Sequence, residues 1–155
     1  MLDCALFPMQ FQLDPAMKKI KLPRYVLFHH DLQLMVFRPR GTLSEKVIED
    51  IVAFLDQAED QAHKPFNRFS DLTQLDAIEL EFEYVCRVAL YRRMQYMKYP
   101  QVKSAFYATT AKAAEIITAH GVITEGSPLQ VAIFKDLSSA ATWLNVSVED
   151  LRIST

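Results

Sequence analysis

Three observations predict an α/β fold with a mainly parallel β-sheet. Half of the 155 residues are hydrophobic, which is enough for a core without disulfides or metal. Short runs rich in β-branched and aromatic residues alternate with longer runs of helical period. The first two strand candidates follow one another through a polar corner, as in a hairpin. The predicted order is ββαβαβαβα, with an N-terminal β-hairpin and about four helices that cover the sheet.

The N-terminal hairpin is predicted at residues 25–30 and 32–37, on either side of a His-Asp corner. The segment that follows contains a proline, which has no backbone N–H to donate and cannot continue a central strand. Thr42 and Glu45 then have the T-x-x-E spacing of a capping box. A helix is therefore expected to begin near Ser44.

The first helix is predicted from an apolar stripe at three- and four-residue intervals. Its members are Leu43, Val47, Ile48, Ile51, Phe54, Leu55, Ala58 and Ala62. A Lys-Pro pair at 64–65 ends the helix, because proline interrupts helical hydrogen bonding. Strand and helix then alternate: strand 66–72, helix 78–97, strand 102–108, helix 111–120, strand 129–134 and a short helix to residue 144.

Polar residues and one glycine mark the ends of the later helices. Thr109 or Thr110 is expected to cap the start of helix 111–120. Gly121 is expected to end that helix in the left-handed conformation. Asp136 is expected to cap the last helix.

The length fits a single domain over residues 1–155, with an N-terminal extension at 1–24 and a core at about 25–146. The extension can act as a lid, add a strand to the sheet edge or cross to a partner subunit, and the sequence leaves these open. Its apolar stretch precedes its lysines, which is the reverse of a signal peptide. Together with only two cysteines, this order favours a cytoplasmic protein.

Four short motifs, in this order, carry a resemblance to a known family. They are Gly-Thr-Leu at 41–43, Asp-Leu-Thr at 71–73, Val-Ala-Ile-Phe-Lys-Asp at 131–136 and Ala-Ala-Thr-Trp-Leu at 140–144. Over about residues 25–146 the chain resembles the SpoIIAA-like branch of the STAS domain superfamily. That superfamily includes anti-anti-sigma factors and cytoplasmic domains of sulfate transporters, and this branch is similar to proteins proposed to bind nonpolar ligands or membranes. The resemblance implies a STAS-like fold and a binding or regulatory module.

One position departs from the pattern of the anti-anti-sigma factors. Those proteins place an Asp-Ser pair at the start of the helix after the 71–73 motif, and the serine is phosphorylated. Glu79 and Leu80 occupy these positions here. Leucine has no hydroxyl group to accept phosphate, so no phosphoserine switch is expected at this site. Ser70 and Thr73 are interpreted as a strand-end serine and a turn threonine.

The predicted helix 78–97 carries two apolar stripes. The first, interpreted as core, consists of Ile78, Phe82, Val85, Cys86, Ala89 and Met97. The second lies on nearly the opposite side and forms, with one arginine, the candidate ligand or interface site: Leu80, Tyr84, Arg87, Val88 and Tyr91. A helix on a sheet needs only one apolar stripe. The second is expected to be covered by another part of the chain, a nonpolar small molecule, a membrane surface or a second subunit in a homodimer.

Charge is segregated along the chain although the net charge is only -2. Residues 44–83 contain an excess of acidic side chains, whereas 84–114 contain basic side chains interleaved with tyrosines. This mixture fits an anionic membrane surface or simple solvation of the helix by pairs such as Glu83 with Arg87. A pI near 6.1 argues against nucleic acid as the partner.

The sequence predicts no catalytic, metal or cofactor site. His29 and His30 are adjacent on a strand and point to opposite faces, so they do not form one metal site. His63 and His120 are expected near helix ends, where they complement the helix dipole. Cys86 is interpreted as a buried core residue.

The sequence therefore favours a non-enzymatic STAS-like module that binds a nonpolar ligand or associates peripherally with the inner membrane face. A homo-oligomeric interaction module without a phosphoserine switch and a small enzyme of unknown type are the alternatives. Ligand, oligomeric state and pathway stay open.

Overall fold

The described strands form one five-stranded sheet and one two-stranded sheet. The computed structural model describes residues 21–152. The strands in this range are β1 (Val26–His29), β2 (Leu34–Phe37), β3 (Gly41–Ser44), β4 (Asn67–Asp71), β5 (Leu75–Glu79), β6 (Val102–Tyr107) and β7 (Leu129–Phe134). The helices in this range are α1 (Glu45–Ala62), α2 (Phe82–Tyr96), α3 (Ala111–Thr124), α4 (Leu137–Leu144) and α5 (Val148–Arg152). Most of the expected N-terminal extension lies outside the described residues.

The larger sheet has the order β1-β2-β4-β6-β7 and is mainly parallel, as predicted. Only β1 and β2 pair antiparallel, with Val26 opposite Phe37, so the predicted hairpin is confirmed with shorter strands. β2 pairs with β4, β4 with β6 and β6 with β7, all in parallel. All four residues of β2 are buried, as is typical of a strand covered on both faces.

Helices cover both faces of this sheet. Alternate side chains of β2 point to opposite faces, so Met35 packs towards α1 and α2, and Val36 packs towards α4 and α5. The core on the α1 and α2 side includes Phe54, Leu55, Phe66 and Val85. The core on the other side includes Leu34, Phe69, Ala105, Ala141, Leu144 and Leu151. Helix α5 was not predicted from the sequence.

The start of α1 agrees with the prediction, but its cap is a different residue. Ser44 is the N-cap, and its hydroxyl oxygen accepts a hydrogen bond from the backbone N–H of Val47 at 3.4 Å. Thr42 lies in β3 and is not the cap. The helix ends one residue before His63, which adopts a left-handed conformation with φ 57°. His63 therefore caps the C-terminus of α1 through its backbone.

The segment before α2 contradicts the predicted helix at 78–97. Residues Leu75–Glu79 form β5, which pairs in parallel with β3, and the helix begins only at Phe82. Ile78 and Leu80 therefore do not lie on the helix. Phe82 is 58% exposed and Met97 is 59% exposed, so the predicted core stripe is wrong at these two positions. The buried face of α2 consists of Val85, Ala89, Arg92 and Tyr96.

Helix α3 starts as predicted and ends later than predicted. Thr110 is its N-cap and accepts from Ala113 N at 3.2 Å. The helix continues through Gly121 to Thr124, so Gly121 is not a left-handed terminus. A Cβ atom at Gly121 would lie 3.6 Å from Val131 Cγ1, which indicates close packing of helix on strand. His120 consequently lies inside α3 and not at its end.

Candidate functional site

A cavity lies between the sheet and helices α1, α2 and α3. Its volume is about 140 Å³. Most of its wall is apolar and comes from the core on this side of the sheet, including Met35, Phe37, Ile51, Leu55, Val85 and Ile117. Protein cores are usually packed so closely that few voids exceed the size of a water molecule. A cavity of this size is therefore a candidate binding site.

A cluster of polar side chains forms part of the cavity wall. Arg68 and Arg92 contribute their side chains and are only 4% and 5% exposed. Ser70, Ser104 and His120 line the same cavity. A mainly apolar pocket with a few convergent polar groups has the composition of many small-molecule sites.

The two arginines belong to a buried ion network with Asp56, Glu59 and Tyr96. Arg68 Nη2 lies 3.4 Å from Glu59 Oε2, and Arg92 Nη1 lies 2.7 Å from Asp56 Oδ1. The Tyr96 hydroxyl accepts from both guanidinium groups and donates to Glu59. Glu59 Oε2 also accepts from the backbone N–H of Phe66 at 2.8 Å. The network joins α1, β4 and α2, and its two cations are balanced by two carboxylates.

One nitrogen in this network has no partner. Within residues 21–152, no hydrogen-bond acceptor lies within reach of the buried Arg68 Nη1. An unsatisfied buried donor costs about 1–3 kcal/mol, and more on a charged group. The other guanidinium nitrogens that line the cavity wall lie close to carboxylates or to Tyr96. Arg68 is therefore the residue of the network that is left with spare hydrogen-bonding capacity.

Titration of the network is shifted by burial. Burial raises the pKa of Tyr96 far above its usual value, so its hydroxyl keeps its proton. Burial, together with the positive charges of Arg92 and Arg68, lowers the pKa of His120 to about 4. His120 is therefore a neutral imidazole at pH 7, packed edge-on against Phe106 with ring centroids 6.1 Å apart.

A surface groove between α1 and α2 contains four of the five residues of the predicted site. Tyr84, Arg87, Val88 and Tyr91 line it from α2, opposite Glu49, Val52, Ala53 and Asp56 of α1. The Tyr91 hydroxyl donates to Asp56 Oδ2 at 2.6 Å, and the Tyr84 hydroxyl donates to the Glu45 carbonyl at 3.3 Å. We call this feature the α1/α2 groove.

The predicted site is thus divided between two features. Leu80 is 7% exposed, precedes α2 and lines the cavity, so it does not share a helix face with the others. Tyr84 and Val88 line both the cavity and the α1/α2 groove. Tyr91 is 49% exposed at the outer side of the groove.

The sequence interpretation missed the polar part of the cavity wall. Arg68 falls in a segment interpreted only as a strand, and Arg92 falls in the basic stretch interpreted as fitting an anionic membrane surface or solvation of the helix. A signal was present, because an arginine inside the strand predicted at 66–72 is unusual in a sheet covered on both faces. The pairing of Arg92 with Tyr96, four residues apart on one helix face, was a second signal.

The histidines are dispersed over the described structure. His29 Nε2 lies 3.0 Å from the Asp150 carbonyl oxygen, and His30 packs edge-on against Phe28. In the part of the chain that the structure describes, no three His, Cys, Asp or Glu side chains are grouped to hold a metal ion. Cys86 is half-buried. None of the helices between residues 21 and 152 is both long enough and apolar enough to span a bilayer.

Comparison with known proteins finds similarity at the level of the fold. No family model matches the chain, and no curated protein matches it. A solved structure is similar: an uncharacterized protein of the DUF3478 family with a SpoIIAA-like fold, from Shewanella loihica PV-4. The two chains are 18% identical, the alignment covers 72% of this chain and 83% of that chain, and the TM-score is 0.48.

Proposed function

We propose that this protein is a non-enzymatic module that binds a small, mainly apolar ligand in the cavity beneath α1, α2 and α3. The cavity of about 140 Å³ carries this proposal. If it were fully enclosed, an unfilled cavity of this size would cost up to about 3 kcal/mol of stability, at roughly 24 cal/mol per Å³. An apolar cavity of about 150 Å³ is known to bind benzene. Occupancy by an apolar molecule offsets the cost that the void imposes.

The α1/α2 groove provides the route to this cavity. Val52, Tyr84 and Val88 line both features, so the cavity and the groove adjoin at these three side chains. Arg87 and Tyr91 stand at the outer side of the same groove. In this proposal Tyr84, Arg87, Val88 and Tyr91 form the access route, and Leu80 forms part of the ligand-binding wall.

Titration with toluene tests the proposal, with amide chemical shifts as the readout. We expect saturable shifts for residues of the cavity wall in the wild-type protein. Val85→Phe places a larger ring into the cavity and should abolish these shifts. Leu144→Met, on the opposite face of the sheet, is the matched control and should leave them intact. Absence of saturable shifts in the wild-type protein would contradict the proposal.

Flotation with vesicles distinguishes a small ligand from a membrane surface. The protein should stay unbound with both neutral and anionic vesicles at low salt, because the proposed ligand occupies an internal cavity. Native mass spectrometry of the purified protein, followed by solvent extraction, identifies a retained molecule. Binding to anionic vesicles without any cavity ligand would favour the hypothesis that the basic stretch contacts a membrane surface.

Self-association is a second candidate, favoured by one surface feature. An apolar stripe on the outer side of α2 is exposed and consists of Phe82, Leu90, Met94 and Met97. Exposed contiguous apolar surface is typical of interfaces. If a second copy of the chain covers this stripe, Met94→Lys should shift a dimer towards monomer in native mass spectrometry. A wild-type protein that is monomeric at every concentration removes this candidate.

A further inference from the structure

The position of Arg68 in the sheet directs its side chain to the cavity. Arg68 lies in register with Met35 of β2 and with Ser104 of β6. Residues in register on parallel strands share a face of the sheet, and all three line the cavity. Arg68 is therefore part of the cavity wall, on the central strand of the sheet and almost fully buried.

The hydrogen bonds of Arg68 leave one side of its guanidinium group unused. Nη2 binds Glu59 and Tyr96, which are both held by further partners in the network. Nη1 is buried and has no acceptor among residues 21–152. Buried polar groups in proteins are nearly always hydrogen-bonded, so an acceptor from outside the described chain is the simplest partner.

The charges around the cavity favour an anionic acceptor. Both arginines and Glu59 are almost fully buried, whereas the carboxylate of Asp56 is 23% exposed at the α1/α2 groove, so two buried cations share one fully buried carboxylate. The charges of Arg92 and Arg68 both disfavour protonation of His120, in addition to the larger effect of burial. Ser70 and Ser104 add two buried hydroxyl groups to the same wall. Among residues 21–152, no carboxylate side chain lines the cavity.

From these observations we infer that the ligand of the proposed function is a small carboxylic acid. Its carboxylate accepts hydrogen bonds from Arg68 Nη1, and its short aliphatic or aromatic part fills the apolar side of the cavity. The inference rests on the proposed function and adds the chemical class of the ligand. The volume of about 140 Å³ limits the apolar part to about one ring or a chain of five or six carbons. A carboxylate accepts a charge-assisted hydrogen bond from a guanidinium nitrogen, which is about twice as strong as a neutral one.

A panel of isosteric probes tests the inference on the wild-type protein. Benzoate, benzamide, toluene and benzylamine differ mainly in the charge and hydrogen bonding of one substituent. Measured by calorimetry at pH 7, benzoate should bind at least about tenfold more tightly than benzamide or toluene, because hydrogen bonds between charged groups are the strong ones. Benzylamine should bind most weakly, because its cation would meet two buried arginines.

Two variants locate the carboxylate. In the double variant Glu59→Gln with Arg68→Gln, the charge on both partners of the buried pair is removed together, so no unpaired charge is left. This variant should lose the preference for benzoate and keep toluene binding. Arg152→Gln removes a surface guanidinium on α5 and should leave the benzoate affinity unchanged.

The outcomes separate this inference from the proposed function. If toluene, benzamide and benzoate bind equally, or benzylamine binds best, the ligand is not a carboxylic acid. The cavity then still binds ligands, and the proposed function stands. If the double variant folds and retains the benzoate preference, Arg68 does not bind the carboxylate and the inference is overturned. If none of the four probes binds, the proposed function itself fails. Because the four probes are measured on the wild-type protein, they test the preference for a carboxylic acid even if the double variant does not fold.

Discussion

Arg92 Nη1 lies 2.7 Å from Asp56 Oδ1 and ties α2 to α1 at the boundary between the cavity and the α1/α2 groove. Arg92 lines the cavity and Asp56 lines the groove, so this ion pair stands where a ligand would pass. The same carboxylate accepts from the Tyr91 hydroxyl through Oδ2. Helices α1 and α2 are therefore held together by polar contacts at the solvent side of the α1/α2 groove and by apolar side chains on the side of the cavity.

Asp56→Asn should destabilise the protein through loss of this ion pair. Removing one partner of a fully buried pair costs about 3–5 kcal/mol, and we expect about 2–3 kcal/mol here because Asp56 is partly exposed. Urea denaturation measures the change. Asp50→Asn is the control on the same helix, since its ion pair with Lys46 is exposed and its loss should leave the midpoint unchanged. Equal midpoints for both variants would contradict a stabilising role for Asp56.

The sequence predicted the sheet and its helical cover because both depend on local periodicity. It failed at the start of α2, where Leu75, Ile78, Phe82 and Val85 recur at three- and four-residue intervals across a strand and a helix. That spacing is helical even though Leu75 and Ile78 lie in β5. Glu81, the N-cap, forms no side-chain cap hydrogen bond and so gives no boundary signal.

The candidate site could be predicted only in part, because a cavity depends on packing between distant elements. Tyr84 and Val88 could be predicted because the periodicity of a single helix shows apolar residues opposite its core face. Arg68 and Glu59 lie in different elements, and their pairing is fixed only when α1 packs on β4. The partner of a buried charge therefore cannot be deduced from the periodicity of either segment.

His120 should make the stability of the protein depend on pH between about 4 and 6.5. The folded state holds the pKa of His120 at about 4, below the ordinary value of 6.5 that applies when the chain is unfolded. In this window the unfolded state binds more protons, so stability falls as the pH falls from 6.5 to 4. The full loss amounts to about 2–4 kcal/mol.

Urea denaturation between pH 4.5 and 7.5 measures this dependence. His120→Gln should show a flatter pH profile than the wild-type protein, because the titrating group is gone. His30→Gln, at an exposed position, is the control and should keep the wild-type slope. If His120→Gln retains the full slope, other groups account for the acid sensitivity.

Tyr84→Ala and Tyr91→Ala should differ in their effect on stability. Tyr84 packs against the core and lines the cavity, so its loss should cost about 2 kcal/mol, below the range for fully buried aromatic residues. Tyr91 is half exposed, and its loss should cost about 1 kcal/mol, mainly its hydrogen bond to Asp56. Chemical denaturation at two protein concentrations gives both values. A dependence on concentration would indicate that a second copy covers the groove.

An anti-sigma kinase should not phosphorylate residues 70–84 stoichiometrically. Leu80, which the sequence motifs aligned with the phosphorylated serine, has no hydroxyl group, is buried and lies two residues before the start of α2. Ser70 is buried in β4, and the Thr73 hydroxyl donates to Asp71 Oδ1 at 2.6 Å. Incubation with such a kinase and peptide mapping tests this expectation. Stoichiometric phosphate in this segment would show that the alignment with the anti-anti-sigma pattern is wrong.

The same substitution on the two faces of the sheet should have opposite effects on stability. Val85 lines the cavity, so Val85→Phe fills part of the void and should stabilise the free protein by up to about 1 kcal/mol. Val36 is buried on the opposite face, where it packs among Leu34, Phe69 and Ala105 and is not part of the cavity wall. Val36→Phe should therefore cost about 1–3 kcal/mol through overpacking. Urea denaturation of both variants measures the difference. Equal destabilisation by the two variants would mean that the space beside Val85 cannot accept a ring. This result would contradict the proposal that the cavity binds a ligand.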